Sequence, residues 1–243
     1  MQVIKLSATD STNTYLKGMS AREKVPDFTV VWAVDQQAGR GQPGNIWVSE
    51  KGKNLTFSIL KKFDKLRAMD HFLLNILVSL ALLEALKNLG IPDLRVKWPN
   101  DIMSGPGKIC GILIENQVKG SYISQSIVGI GLNVNQQSFD GLSRATSLKN
   151  TTGQDYDLQE LLTILLSSIK QYYGRMEAGS YPELLRTYER NLFLRDVPAS
   201  FQRPEGPVFE AIIRGVAPDG QLLLETAPGR EEAFGFKEVR YLY

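Results

Sequence analysis

Apolar positions repeat along this chain with two periods, and the switches between them predict its elements. Thr29-Val30-Val31-Trp32-Ala33-Val34 is a continuous β-branched and apolar run, as in a strand buried on both faces, and Leu55 to Leu60 reads as another strand. From Phe72 to Leu86 the chain is apolar on all sides, interrupted by Asn75, Ser79 and Glu84, with Asp70 as its cap and Gly90 and Pro92 as its stop. That run falls short of the roughly 20 residues that span a bilayer, so it reads as a core helix. Asp10 and Ser11 are N-caps for a shorter helix from Thr12 to Met19. Extended segments at Leu94 to Trp98, Ile102 to Met103, Lys108 to Glu115 and Tyr122 to Ile130 imply a mixed sheet. Asp157 with Glu160, and Ser180 with Glu183, are capping boxes for two further helices, the second reaching about Arg190.

Two stretches break this rhythm. Gln36 to Lys53 is long, polar and rich in glycine, the kind of loop that carries function. After Asn191, short alternating segments such as Val208 to Val216 and Gln221 to Glu225, separated by turns like Pro218-Asp219-Gly220, predict a small β-barrel. Two units follow, residues 1–190 and 191–243. The second carries six basic and eight acidic residues, so the cationic excess lies in the first.

With 28 basic against 26 acidic side chains in 243 residues, the net charge of +2 is too small for non-specific nucleic-acid binding. One cysteine, Cys110, and one histidine, His71, exclude an internal disulfide and a Cys/His zinc site, and the expected compartment is the cytoplasm. No secretion signal and no membrane association are expected from the first residues, Met1 to Leu6.

Four segments carry candidate chemistry. Gly39-Arg40-Gly41-Gln42-Pro43-Gly44-Asn45-Ile46-Trp47 combines backbone freedom, a guanidinium and an aromatic plate, as a loop closing over a phosphate-bearing nucleoside requires. It matches neither common glycine-rich nucleotide fingerprint, and composition alone slightly favours a solvated loop with Trp47 packed on the core. Lys97-Trp98-Pro99-Asn100-Asp101 holds a cation, an amide and a carboxylate on a corner between strands. There Lys97 can offset phosphate charge and Asp101 can bind Mg²⁺ or accept a proton from an attacking amine; alone, the segment reads as ordinary turn chemistry. Lys108 opens an otherwise buried strand, where its charge is costly unless an anion compensates it or the residue is simply exposed. Gly129-Ile130-Gly131-Leu132-Asn133 allows close backbone approach and offers a carboxamide that can read a base or a ribose hydroxyl, or it is a strand ending in a polar turn.

Taken together these segments resemble the biotin protein ligases over essentially the whole chain. The motifs that carry the likeness are Asp10-Ser11-Thr12-Asn13, Gln36-Gln37-Ala38-Gly39-Arg40-Gly41, Lys97-Trp98-Pro99-Asn100-Asp101, Lys108-Ile109-Cys110-Gly111-Ile112-Leu113 and Gly129-Ile130-Gly131-Leu132-Asn133. In that order they look like the family's biotin pocket, ordering loop, active-site turn, catalytic-lysine strand and nucleotide edge. The implied fold is α+β: a mixed β-sheet packed against helices, like the class II aminoacyl-tRNA synthetases and the biotin–lipoyl ligases, with a small C-terminal SH3-like β-barrel. The implied reaction joins biotin to ATP, giving biotinyl-5′-AMP and pyrophosphate, and then transfers biotin to a lysine on the carrier domain of a carboxylase or decarboxylase.

Carried over residue by residue, the implied catalytic set is Arg40, Lys97, Asp101 and Lys108. Arg40 and Lys108 screen the repulsion between the biotin carboxylate and the α-phosphate, with Mg²⁺ on the phosphates. Asp101 is the base of the transfer step or a Mg²⁺ ligand. Ser11, Thr12, Asn13 and Gln36 are expected around biotin, with Gly39, Arg40 and Gly41 from the loop. Trp98 walls the thiophane side, and Lys108, Gly111, Ile112, Gly129 and Gly131 complete the pocket. The adenylate is expected against Arg40, Gln42, Trp47, Asn100, Lys108, Asn133 and Arg240.

The sequence departs from the family in three places. Gln42-Pro43-Gly44-Asn45 replaces the arginine-rich continuation of the best-known bacterial members, and Cys110 stands where alanine is common and reads as a small buried hydrophobe. The catalytic motifs begin almost at Met1, without the helix-turn-helix domain of the repressor members, so no DNA partner is expected. A homodimer through an exposed sheet edge is a family expectation. The rival readings are a lipoate or octanoyl ligase or transferase of the same fold, and a non-catalytic biotin sensor.

Overall fold

Val128, Ile130 and Leu132 alternate with Gly129 and Gly131 along one strand, and this alternation sorts the two faces of a seven-stranded sheet. The computed structural model describes residues 1–243. In chain order the strands are β1 (Val3–Leu6), β2 (Thr29–Ala33), β3 (Leu55–Arg67), β4 (Leu94–Lys97), β5 (Asp101–Ser104), β6 (Gly107–Lys119) and β7 (Tyr122–Leu132). Across the sheet the order is β1-β2-β3-β7-β6-β5-β4, with β1 and β2 parallel and every other neighbour antiparallel. The expected mixed sheet is therefore present.

Five helices accompany it: α1 (Thr12–Arg22), α2 (Phe72–Asn88), α3 (Leu148–Thr152), α4 (Leu158–Glu177) and α5 (Tyr181–Arg190). On one face of the sheet Leu55, Phe57, Ile59, Val128, Ile130 and Leu132 join α2 and α4 in one contiguous core. On the other, Val31, Leu60 and Ile127 meet Leu16 of α1 in a smaller cluster. The apolar run of α2 is explained by its depth: thirteen of its residues are buried. By length and hydropathy Ala68–Asn88 could pass for a membrane span, but 72% of its most apolar window lies inside the protein.

A second sheet follows, built of β8 (Pro198–Gln202), β9 (Val208–Val216), β10 (Leu222–Ala227), β11 (Arg230–Phe234) and β12 (Arg240–Leu242), in the order β11-β10-β9-β8-β12. Where a small β-barrel is expected, the strands form an open five-stranded sheet: β12 is only three residues long and pairs with β8, so β11 and β12 are its two edges. Phe201, Ile213, Leu222, Leu224 and Tyr241 from this sheet enter the same core as α2. At the junction the Trp98 indole N–H donates to the Gly220 carbonyl at 2.8 Å.

Local signals held where nothing competed for them. Ser11 accepts from the Thr14 N–H and caps α1, and the Asp157 carboxylate accepts from the Gln159 and Glu160 N–H groups to cap α4. Asp70 does not cap α2. It sits in a 3-10 turn, where the Arg67 guanidinium takes its carboxylate at 2.8 and 3.1 Å, and His71 precedes the helix without a side-chain cap. Ser180 makes no cap bond either, and Pro182 supplies the first-turn geometry of α5. Strand β3 extends to Arg67, beyond the expected Leu60, through a register shift between Lys62 and Leu66 that keeps it paired with β7.

Gly220 adopts φ +94° and a Cβ there would stand 2.5 Å from the Phe72 ring. Gly220→Ala is therefore expected to cost about 3 kcal/mol, from a left-handed backbone plus overpacking. Gly229→Ala, at φ +74° with open space around it, should cost about 1 kcal/mol. Urea denaturation of both variants checks the difference.

Candidate functional site

Register brings the chemistry together. Lys97 lies opposite Asp101, Asp101 opposite Gly111, Gly111 opposite Gly131 and Gly131 opposite Thr56. In the next row Leu113, Gly129 and Ser58 are neighbours. The glycines strip the side chains from the α1 face, and two other parts of the chain settle on the bare backbone. A Cβ on Gly129 would lie 2.3 Å from Asn13 Oδ1, and one on Gly131 would lie 2.3 Å from the Trp47 indole.

The start of α1 is held there by a polar network. The Thr12 N–H and hydroxyl donate to Gln36 Oε1 at 3.0 and 3.2 Å. The Ser58 hydroxyl, on β3, stands 2.7 Å from Thr12 Oγ1 and donates to Asn13 Oδ1 at 2.6 Å. The Asn13 amide donates to Glu115 Oε2 at 2.8 Å, and Arg40 donates to the other Glu115 oxygen at 2.9 Å and to Thr14 Oγ1 at 3.2 Å. Burial disfavours the Glu115 charge, but hydrogen bonds from Asn13 and Arg40, with the charges of Arg40 and Lys17, outweigh it and hold its carboxyl below the usual range.

The loop after Gly39 is a narrow hairpin. The Trp47 N–H donates to the Gly39 carbonyl at 2.9 Å and the Gly41 N–H to the Asn45 carbonyl at 3.0 Å. Trp47 is thereby laid against Gly111 and Gly131, with Lys108 Nζ 5.7 Å from its ring centre. The solvated loop that composition favours is thus folded, though its Trp47 does pack on the sheet as that reading has it.

Cations gather at the other end. Lys108 Nζ is 2.7 Å from Asp101 Oδ1 and Lys97 Nζ is 3.9 Å from Asp101 Oδ2. Burial pushes the Lys97 ammonium below the ordinary lysine value; Asp101 opposes this, while Lys108 and Arg144 add to it. Asn100 is a buried clip, donating its amide to the Ile112 carbonyl at 2.6 Å. Cys110 is buried with its thiol pushed up by desolvation, as an inert hydrophobe should be.

All of this lines an open cavity of about 740 Å³, bounded on the far side by Gln202, Arg203, Phe236, Lys237 and Arg240 of the second sheet unit. Its lining brings together Ser11, Thr12, Asn13, Gln36, Arg40, Gly41, Gln42, Trp47, Lys97, Trp98, Asn100, Asp101, Lys108, Gly111, Ile112, Gly129, Gly131 and Arg240. Two expected residues stand outside it. Gly39 supports the hairpin, since a Cβ there would meet the Trp47 carbonyl at 2.2 Å. Asn133 is buried and donates its amide to the Thr146 carbonyl at 2.9 Å, which fixes the carboxamide while its oxygen takes no partner within the protein. Sequence reasoning missed Glu115, Ser58, Arg203 and Lys237.

The pattern of the biotin/lipoate A/B protein ligase family matches residues 6–133. The chain belongs to that family. It is 30% identical to the bifunctional ligase/repressor BirA of Bacillus spizizenii over 88% of its own length, and spans 66% of that relative. It is 26% identical to the biotin–[acetyl-CoA-carboxylase] ligase of Paracoccus denitrificans over 93% of this chain and 95% of the relative. Its fold is similar to that of the biotin protein ligase from Aquifex aeolicus in complex with biotin and ATP, with a TM-score of 0.81, 28% identity and 99% of each chain covered.

Because Glu115 is held below the usual carboxylate range, it favours the folded state above about pH 4.5, its ordinary value, and that contribution is lost as pH falls through its folded value. The urea midpoint of the wild type should exceed that of Glu115→Gln at pH 7, and the gap should shrink steadily below about pH 4.5.

Proposed function

We propose that the chain attaches biotin to a lysine of a carrier domain through biotinyl-5′-AMP formed from ATP. The observation that supports this most is the meeting in one cavity of a neutral polar end, Ser11, Thr12 and Gln36, with a cationic end of Lys97 and Lys108 around Asp101. A ureido ring has donors and acceptors but no charge and suits the first end. The biotin carboxylate and the α-phosphate are both anions, and a reaction between them needs fixed cations such as the second end supplies. Trp47, seated over Gly111 and Gly131, offers the flat surface an adenine needs.

No group of three acidic, histidine or cysteine side chains converges in the protein, and Asp101 is the one carboxylate beside the two lysines. Those residues fit an ion that takes most of its ligands from triphosphate oxygens and water, with Asp101 as its protein donor. When bound, such an ion would supply positive charge at the phosphates. Of the two roles open to it, magnesium donor or base, Asp101 is assigned the second, taking the proton that the attacking ε-amine must lose in the second half-reaction. A second copy of this chain pairing edge to edge would need an open strand, and β6 offers one beyond Gly111, where its pairing with β5 ends.

Biotin-dependent exchange of labelled pyrophosphate into ATP tests the first half-reaction, with lipoate and octanoate as parallel substrates. Exchange with biotin alone is expected; exchange with lipoate would move the chain to the sister activity, and none with any acid would leave a sensor. Lys108→Ala should lower exchange at least about 100-fold. Asp101→Asn should keep exchange and slow transfer to a carrier lysine by roughly 100-fold. Equal loss of both halves would make Asp101 a magnesium ligand rather than the base.

A further inference from the structure

The two lysines of the cavity are held in different ways. Lys108 Nζ is committed to Asp101 at 2.7 Å. Lys97 Nζ is 3.9 Å from the same carboxylate, outside hydrogen-bond distance. What surrounds Lys97 instead is aromatic: its ammonium lies 5.2 Å from the ring centre of Tyr241 and 5.4 Å from that of Tyr243. The two rings meet edge to face at 6.5 Å. Tyr243 is fixed in turn by Phe193, 5.0 Å away, and by the Arg144 guanidinium, 4.0 Å over its face.

A ring face attracts a cation without taking up a strong hydrogen bond, so a lysine held this way keeps its N–H donors free. We propose that Tyr241 and Tyr243 are positioning residues that hold the Lys97 ammonium, uncommitted, where it donates to a phosphate oxygen of the nucleotide. This rests on the ligase reading for the identity of the anion, but the cage itself is a statement about Lys97 alone. The phenol of Tyr241 is buried without a hydrogen-bond partner, which fits a residue retained for its ring rather than its hydroxyl. Burial, together with Lys108 and Arg144, disfavours the Lys97 charge and Asp101 favours it; ring faces at this distance add to the favouring side.

The decisive comparison is Tyr243→Phe with pentafluorophenylalanine in place of Tyr243. The two rings have nearly the same shape but opposite face polarity, so packing alone does not distinguish them. The fluorinated chain is expected to show an ATP KM raised on the order of fivefold over Tyr243→Phe, with the biotin KM little changed. Acetic anhydride labelling of Lys97, mapped by peptide mass, should be several-fold faster in the fluorinated chain, because its amine loses the proton more readily. Equal ATP KM and equal Lys97 labelling in the two chains would overturn the cage. If the wild type shows no biotin-dependent exchange, the ligase reading falls by itself, and the labelling comparison still decides the cage.

Discussion

The site depends on a strip of backbone with nothing on it. Gly111, Gly129 and Gly131 fall side by side on one face of the sheet because register and pleat put them there, and on that face their neighbours are Thr56 and Ser58. Approaches of 2.3 Å to a missing Cβ cannot be absorbed by small adjustments, because protein interiors are close-packed and the intruding atoms belong to a fixed helix start and an indole. A side chain at either position would lift the α1 terminus or Trp47 away, and the cavity between them would lose its floor. The opposite face, carrying Val128, Ile130 and Leu132, supplies the burial that keeps this bare face flat.

On that floor the charges are arranged economically. One carboxylate, Asp101, faces two ammonium groups, so the cavity keeps a positive excess without leaving every cation unpaired. Glu115 does the same at the polar end, tying the helix start and Arg40 to one side chain. Both acids sit on or beside β6, so a single strand sets the spacing between the two ends of the cavity.

What could be read from the sequence was mostly what is local. The all-round apolar run of α2, the Asp157 cap and the strands that end in Lys97-Trp98-Pro99-Asn100-Asp101 are stated by neighbouring residues. The caps assigned to Asp70 and Ser180 failed: at Asp70 a nearer partner, Arg67, takes the carboxylate, and Ser180 makes no cap bond. Glu115 carried no signal at all. Its partners lie 102 and 75 positions away, and a glutamate near the middle of a strand looks like an ordinary surface charge until the chain is folded. The openness of the second sheet was not legible for a similar reason, since alternation reports strands but not whether the first and last of them meet.

The bond from the Trp98 indole to the Gly220 carbonyl joins the corner that carries Asp101 to a turn of the second sheet. Around it Phe72, Tyr188, Phe201 and Tyr241 belong to a single core. The peptide between Asn191 and Pro198 is thus a poor place to divide this protein. Cutting there would take Phe201, Leu222 and Tyr241 out of that hydrophobic interior and Arg203, Lys237 and Arg240 out of the cavity wall.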